Sequence, residues 1–184
     1  MLRQEQKKKL LSLARETLES YLKTGKIPPF FTDEPQLLEK RGAFVTLKKA
    51  GELRGCIGRI FSEIPLYQTI QEMAIEAGLD DPRFSPVSLK ELPEVKIEIS
   101  VLSELKKIGD IEEIEVGKHG ILIRRGFYSG LLLPQVAVEY HWTKEEFLIH
   151  TCFKAGLPPL IWKDKNTQIY IFTAEVFSEE GLNK

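Results

Sequence analysis

Cysteine is scarce in this sequence, and its scarcity excludes whole classes of protein. Only Cys56 and Cys152 occur among the 184 residues, which is too few for a disulfide framework. No CxxC or HExxH pattern is present, and the spacing of Glu139 and His141 is too short and too common to indicate a metal ion. We therefore expect reduced thiols, and the sequence assigns no metal ligand and no cofactor.

Long apolar runs and an excess of one charge sign are also absent. No stretch approaches the roughly 18 uninterrupted apolar residues of a membrane span, and the N-terminal "MLRQEQKKKL" is charged where a signal peptide needs an apolar run. These features predict a cytoplasmic protein without a membrane partner. A formal net charge of -1, with acidic and basic residues interleaved, disfavours nucleic-acid binding. Walker A and GxGxxG patterns are missing, so a standard nucleotide-binding fold is not supported.

Hydrophobic periodicity predicts mixed helices and strands. A first amphipathic helix is predicted from Glu5 to Thr24, with Gly25 as its stop. A second is predicted from Pro65 to about Ala77, with Gly78 as its stop. A third follows a capping box at Thr143 and ends at Gly156. "GAFVTLKKAGELRGCIGRI" predicts a hairpin, residues 95–101 alternate as a strand, and "ILIRR" with "LLLP" predicts a second small sheet. The run "TQIYIFTAEVFSE" is expected to pair into the main sheet. Without a βαβ rhythm, this is an α+β fold with mixed or antiparallel sheets.

The segment "LRGCIG" carries the chemistry that the sequence suggests. On an extended strand, Leu53 and Ile57 would face the core, while Arg54 and Cys56 would face the other way. An arginine near a cysteine favours the thiolate, which is the nucleophilic form. Gly55 and Gly58 would let backbone N–H groups approach a ligand or an oxyanion. The competing interpretation is a small buried cysteine beside a bulge, and composition and spacing alone favour it.

A cysteine nucleophile usually needs a base, and the chain has three histidines. His119 lies between glycines in a loop and is the strongest candidate, while His141 and His150 are weaker. Glu139 could orient a histidine or act as an acid or base. In "DPRF", Asp81 is expected to form a turn by accepting backbone N–H bonds, with Arg83 paired to it. Cys152 lies on the apolar stripe of a predicted helix and is expected to fill the core.

The segments "LRGCIG", "DPRFSPV", "IEISVL", "GKHGILI", "LLLPQVAVE" and "FKAGLP" occur in this order, and together they resemble the AMMECR family. The resemblance spans residues 44–177, and "LRGCIG" is the family's hallmark hexapeptide. It implies one AMMECR-type domain over residues 1–184 without a separate linker, made of a larger α+β subdomain and a smaller one, with the hexapeptide facing a cleft between them. His141 departs from the family pattern, which commonly has glycine there.

The resemblance also implies functional positions and partners. The matching positions are Leu53, Arg54, Gly55, Cys56, Ile57, Gly58, Arg83, Phe84, His119, Gly120, Pro134 and Glu139. In prokaryotes such proteins are associated with Memo-like and radical SAM proteins, the AmmeMemoRadiSam set, although no activity is assigned to the family. A hexapeptide that defines a family and carries an arginine and a thiol shifts the balance at Cys56 towards function.

Three hypotheses follow. The first is a cysteine-dependent enzyme for a small or peptidic substrate, with Cys56 as nucleophile, His119 as base and Glu139 as its orienter. The second is a non-catalytic module in which Arg54, Gly55, Gly58 and Arg83 bind a ligand or a protein. The third and weakest is nucleotide or nucleic-acid binding by arginines, namely Arg54, Arg59, Arg83, Arg124 and Arg125. The sequence does not define an oligomeric state.

Overall fold

The computed structural model describes residues 1–181, which form two compact units. The first comprises residues 1–102 and the segment that begins at Glu175; the second comprises residues 103–174. The helices are α1 Gln4–Thr24, α2 Pro35–Leu38, α3 Leu66–Leu79, α4 Pro134–Glu139 and α5 Lys144–Lys154. The strands are β1 Ala43–Lys49, β2 Glu52–Arg59, β3 Val95–Leu102, β4 Lys106–Ile108, β5 Gly120–Arg125, β6 Tyr128–Leu132, β7 Gln168–Phe172 and β8 Ala174–Ser178. The predicted α+β fold, with antiparallel sheets flanked by helices, is confirmed.

The first unit packs α1 and α3 with a four-stranded sheet of order β2-β1-β3-β8. Its core comes from the apolar stripes of the two helices and from alternate residues of β1 and β3, including Val45, Leu47, Ile97 and Ile99. Helix α1 ends as predicted, because Gly25 adopts the left-handed conformation and its N–H donates to the carbonyl of Tyr21.

Helix α3 runs further than the sequence predicted. It continues to Leu79, so Gly78 is not its stop. A Cβ at Gly78 would lie 2.7 Å from a methyl carbon of Leu18. The glycine therefore serves the close packing of α1 on α3, and the termination prediction was wrong because a glycine signals either role.

The second unit has a four-stranded sheet of order β4-β7-β5-β6, which confirms the predicted second sheet. Helix α5 has the predicted capping box between Thr143 and Glu146 and packs its apolar face into a core with Ile121, Ile123 and Trp162. The C-terminal β-prone run divides into two strands: β7 joins this sheet, whereas β8 joins the sheet of the first unit. Helix α4 was not predicted.

Among residues 1–181, no helix is long and apolar enough to cross a membrane.

Candidate functional site

The β1–β2 hairpin presents Cys56 on the edge strand of the first sheet. Its tight turn places Ala50 and Gly51 at positive φ, the conformation that two-residue hairpin turns require. Leu47 pairs with Gly55 and Lys48 pairs with Leu53, so Arg54 is an extra, bulged residue in β2. The bulge interrupts the side-chain alternation of the strand, which the sequence treats as regular.

This bulge explains one wrong prediction. Leu53 is 41% exposed and does not anchor the strand in the core, because it lies before the interruption. Ile57, beyond the bulge, packs against the core cluster as expected. The alternating pattern therefore holds only for the part of β2 that follows Arg54.

Cys56 is a free, half-buried thiol that lies directly opposite Thr46 on β1. The hydroxyl of Thr46 donates a hydrogen bond to the Cys56 sulfur at 3.2 Å. In an antiparallel pair whose residues do not exchange backbone hydrogen bonds, side chains approach most closely, and the backbone groups point to the outer edge. The outer backbone of Cys56 is therefore available to other partners.

Those partners are Asp81 and Arg83, which close the sheet edge at Cys56. The backbone N–H of Cys56 donates to Asp81 Oδ2 at 2.8 Å, and Arg83 Nη2 donates to the carbonyl oxygen of Cys56 at 3.3 Å. The two side chains also pair with each other, Arg83 Nη2 lying 2.7 Å from Asp81 Oδ2. The predicted Asp-Pro-Arg turn is thus confirmed, and the same carboxylate fixes the strand that carries the thiol.

The electrostatics of this pair are set by burial and hydrogen bonding. Asp81 is 4% exposed. Hydrogen bonds from the Arg83 side chain, and from the backbone of Cys56 and Arg83, hold the pKa of the Asp81 carboxyl well below its usual range. The same pairing raises the pKa of Arg83. Asp81 is therefore a fixed anion near neutral pH and does not accept a proton from the thiol.

Arg54 makes a different contact from the one that the sequence suggested. Its Nε and Nη2 donate to the two carboxylate oxygens of Glu91 at 2.8 and 3.0 Å. This bidentate pair, with help from Lys49, lowers the pKa of Glu91 to about 2. The arginine that contacts Cys56 is Arg83, because the bulge at Arg54 changes the alternation on which the proximity argument rested.

The two glycines of the hexapeptide are used for packing. A Cβ at Gly55 would lie 2.1 Å from the carbonyl oxygen of Ala77 on α3. A Cβ at Gly58 would lie 2.1 Å from the ring of Phe44, its cross-strand neighbour. The space above both Cα atoms is filled from within the first unit, so the open approach for a ligand that the sequence suggested is absent at these two positions.

His119 and Glu139, the predicted base and its orienter, belong to the second unit, whereas Cys56 belongs to the first. The Nδ1 of His119 accepts a hydrogen bond from the backbone N–H of Glu115 at 3.1 Å. A neutral imidazole with this bond carries its proton on Nε2. Glu139 is exposed at the last residue of α4.

The weaker candidates also have clear surroundings. His141 follows α4 at φ 53, where its N–H and that of Trp142 donate to the carbonyls of Val138 and Ala137. This is a Schellman ending, which favours glycine at that position. The ring of His150 stacks on Trp142 with centroids 3.8 Å apart. Cys152 is fully buried, as predicted, and its burial raises the pKa of the thiol.

No group of three or more His, Cys, Asp or Glu side chains within residues 1–181 is arranged to hold a metal ion.

Fold and site together define a class: a two-unit α+β protein with a free cysteine on the edge strand of a hairpin. The AMMECR1 family profile matches residues 11–177. The chain belongs to this family, as the sequence predicted. It is 49% identical over 182 residues to Protein PH0010 from Pyrococcus horikoshii, covering 93% of this chain and 88% of the relative. It is equally identical, over 180 residues, to Protein MK0488 from Methanopyrus kandleri, covering 93% and 87% of the two chains.

A solved structure supports the same assignment. The crystal structure of the uncharacterised protein PH0010 from P. horikoshii superposes with a TM-score of 0.88 at 46% identity, covering 95% of this chain and 91% of the other.

The roles of three residues at the site were not predicted from the sequence. Thr46 and Glu91 gave no signal, since a strand threonine and a loop glutamate are common. Asp81 was recognised as a turn residue, but its reach to Cys56 spans 25 positions. An Asp-Pro-Arg sequence after a helix is the one local feature that pointed to it.

Proposed function

We propose that Cys56 is the reactive thiol of a cysteine-dependent enzyme that acts on a small or peptidic substrate. The observation that carries the proposal is the support given to this one residue. A hydroxyl contacts its sulfur, a carboxylate binds its N–H, and a guanidinium binds its carbonyl. The two backbone contacts fix the strand at this position, and a nucleophile must be held at a fixed position.

The polar groups around the sulfur also suit a thiolate. The O–H of Thr46 is a donor to the sulfur, and the Arg83 guanidinium binds the carbonyl oxygen of the same residue. Donors and a fixed cation stabilise a developing thiolate. In this role Arg83 also offers a charge for an anionic group of the substrate.

His119 as base and Glu139 as its orienter complete the proposed mechanism. The ring nitrogen that would take the proton is Nδ1, which accepts from the backbone N–H of Glu115, so the proposed base role requires that this hydrogen bond opens. Replacing His119 by Gln would then abolish turnover of a substrate while leaving alkylation of Cys56 unchanged.

The first test is alkylation of the native protein at pH 7 with iodoacetamide, read separately at each cysteine by mass spectrometry. We expect Cys56 to react while buried Cys152 stays protected until the protein unfolds. Arg83→Gln should slow the reaction at Cys56 roughly tenfold by removing the nearby cation. The matched control is Arg59→Gln, which removes one positive charge from β2, the strand that carries Cys56. It should leave the alkylation rate of Cys56 unchanged.

Equal protection of both cysteines in the native protein would contradict the proposal. So would an equal loss of rate in the Arg83 and Arg59 variants, because the effect would then reflect net charge alone.

A non-catalytic ligand- or protein-binding module is the second candidate, and one observation favours it. All three histidines belong to the second unit, and among residues 1–181 the carboxylate bonded to Cys56 is that of Asp81, a fixed anion. Within the described part of the first unit, the thiol is therefore held without a histidine beside it in the same unit. Cys56→Ser would then leave binding of a partner nearly unchanged, whereas it would abolish the activity of an enzyme.

The family resemblance suggests Memo-like and radical SAM proteins as the partners with which to make this comparison. Binding through arginines to a nucleotide or nucleic acid is the weakest candidate. It predicts a steep fall in affinity with salt, and a near-zero salt slope would exclude it.

A further inference from the structure

The second unit contains a cleft that the Cys56 site does not use. It lies between residues 107–111, which include the end of β4, and residues 162–169, which lead into the start of β7. Its volume is about 760 Å³, within the usual range of small-molecule sites. Every residue that lines it belongs to the second unit.

The lining is apolar on one side. Ile108, Ile169 and Trp162 are each at most 9% exposed, and they line the cleft together with Ile111. The indole N–H of Trp162 is buried, and it has no hydrogen-bond acceptor among residues 1–181. Buried donors without acceptors are rare in folded proteins, and cavities with a functional role are one setting in which they occur.

The rim of the cleft carries an excess of positive charge. Lys107, Lys163 and Lys165 line it, are exposed, and make no ion pair with another residue of the described chain. The lining also contains two acids, and neither forms an ion pair with these three lysines within residues 1–181. Asp164 accepts from Arg125 and from the backbone of Asn166, and Asp110 accepts from the backbone of Glu112.

This local excess stands against a chain whose net charge is -1. Lys163 also lies close to the apolar side of the cleft, since its Nζ is 4.9 Å from the centre of the Trp162 ring. Three cations without acidic partners around one cleft favour an anion of more than one charge.

The wall formed by residues 161–168 is preorganised. Thr167 donates through its hydroxyl to the carbonyl of Ile161 at 2.7 Å, and its N–H donates to the carbonyl of Asp164 at 2.9 Å. The Asp164 carboxylate ties the same segment to Arg125 on β5. A wall that is already ordered loses little conformational entropy when a ligand binds.

We propose that this cleft binds a phosphate monoester whose organic part is planar or apolar. The lysine ammonium groups bind the phosphate as mobile point charges, and the organic part covers the isoleucine and tryptophan side of the cleft. The site is independent of Cys56, so it is unaffected if the thiol proves unreactive.

Isothermal titration calorimetry of the full chain with phenyl phosphate tests the proposal. We expect saturable one-to-one binding that is about tenfold or more tighter than binding of inorganic phosphate or of phenol, because only the ester uses both the lysines and the apolar side. A single-tryptophan variant, Trp142→Phe, should show the same saturation through the emission of Trp162. Adenosine monophosphate, titrated in parallel, reports whether a larger planar group fits.

The matched variants separate this cleft from general charge attraction. Lys107→Gln, Lys163→Gln and Lys165→Gln in one chain should weaken phenyl phosphate binding by at least about tenfold. The control replaces Lys8, Lys26 and Lys90 by Gln. These are exposed lysines of the first unit that make no ion pair within residues 1–181, and the variant should bind like the parent. Absence of saturable heat with every probe overturns the proposal, as does equal weakening in the two triple variants.

Discussion

At the residue scale, Asp81 holds the backbone of Cys56 from a position 25 residues further along the chain. Its carboxylate binds the N–H of Cys56 and both the N–H and the guanidinium of Arg83. Because it is buried, loss of its charge leaves donors without a strong acceptor.

Asp81→Asn should therefore lower the free energy of unfolding of the first unit by about 2–3 kcal/mol, the usual worth of hydrogen bonds to a charged group. Urea unfolding followed by far-UV circular dichroism measures it. Asp110→Asn is the control, because Asp110 is exposed and asparagine caps a helical turn as well as aspartate does. A comparable loss in both variants would contradict the special role of Asp81.

At the element scale, strand β2 lies so close to helix α3 that only glycine fits at position 55. The Ala77 carbonyl oxygen occupies the place that a side chain would take. This contact fixes the distance between the helix and the strand that carries Cys56, so this glycine of the hexapeptide has a packing role.

Gly55→Ala should cost about 1–3 kcal/mol of stability in the first unit, because backbone on both sides must move to admit a methyl group. Amide hydrogen exchange in β1 and β2 measures the effect directly. Gly109→Ala serves as the comparison, since a Cβ there meets nothing within 4 Å. Exchange rates that are equal in the two variants would be inconsistent with the close packing.

Helices α4 and α5 end with the same backbone geometry but with different residues in the left-handed position. Both helices end in Schellman geometry, with Gly156 at φ 71 after α5 and His141 at φ 53 after α4. A Cβ in the left-handed region carries a conformational cost that glycine avoids.

His141→Gly should accordingly raise the stability of the second unit by about 0.5–1 kcal/mol. His141→Ala, which keeps the Cβ, should give no such gain. Thermal unfolding followed by tryptophan fluorescence measures both variants, because Trp142 and Trp162 lie in this unit. An equal gain from alanine would assign the effect to loss of the imidazole instead.

At the scale of the whole molecule, what the sequence predicts depends on how local the cause is. The ends of α1 and α5, the alternating strand β3 and the Asp81–Arg83 turn depend on residues a few positions apart, and all are confirmed. Three features were not predictable because they depend on contacts with elements distant in the sequence. These are the packing role of Gly78, the exposure of Leu53 and the pairing of Arg54 with Glu91.

The candidate site follows the same division. Cys56 is recognisable from its neighbours in sequence, but its polar partners come from positions 46, 81 and 83, and Arg54 finds Glu91 at 37 positions' distance. Helix α4 was not predicted because the left-handed position after its end is occupied by His141 instead of the glycine that usually marks a stop.

The acid stability of the first unit should depend on Glu91. The pKa of Glu91 is about 2 in the folded protein and about 4.3 in the unfolded chain. The ion pair with Arg54 therefore makes its full contribution to the stability of the folded state at pH values above the unfolded pKa. That contribution is lost as the pH falls from about 4.5 towards 2.

Glu91→Gln should thus lower stability at pH 7 by about 2 kcal/mol, and the difference from the parent should shrink as the pH falls below about 4.5. Urea midpoints at several pH values, followed by circular dichroism, provide the measurement. Glu52→Gln, an exposed position on the hairpin that carries Arg54, should follow the parent throughout. A difference that stays constant down to pH 2 would rule out the ion pair as its source.

The position of β8 has a consequence for biosynthesis. The first unit requires β8, yet the ribosome makes β8 only after the whole of residues 103–174. The second unit is continuous in the chain and can fold as it emerges, whereas β3 must wait for its neighbour on one side. The sheet that carries the thiol is therefore completed only after the second unit has been translated, although its first strands are translated early.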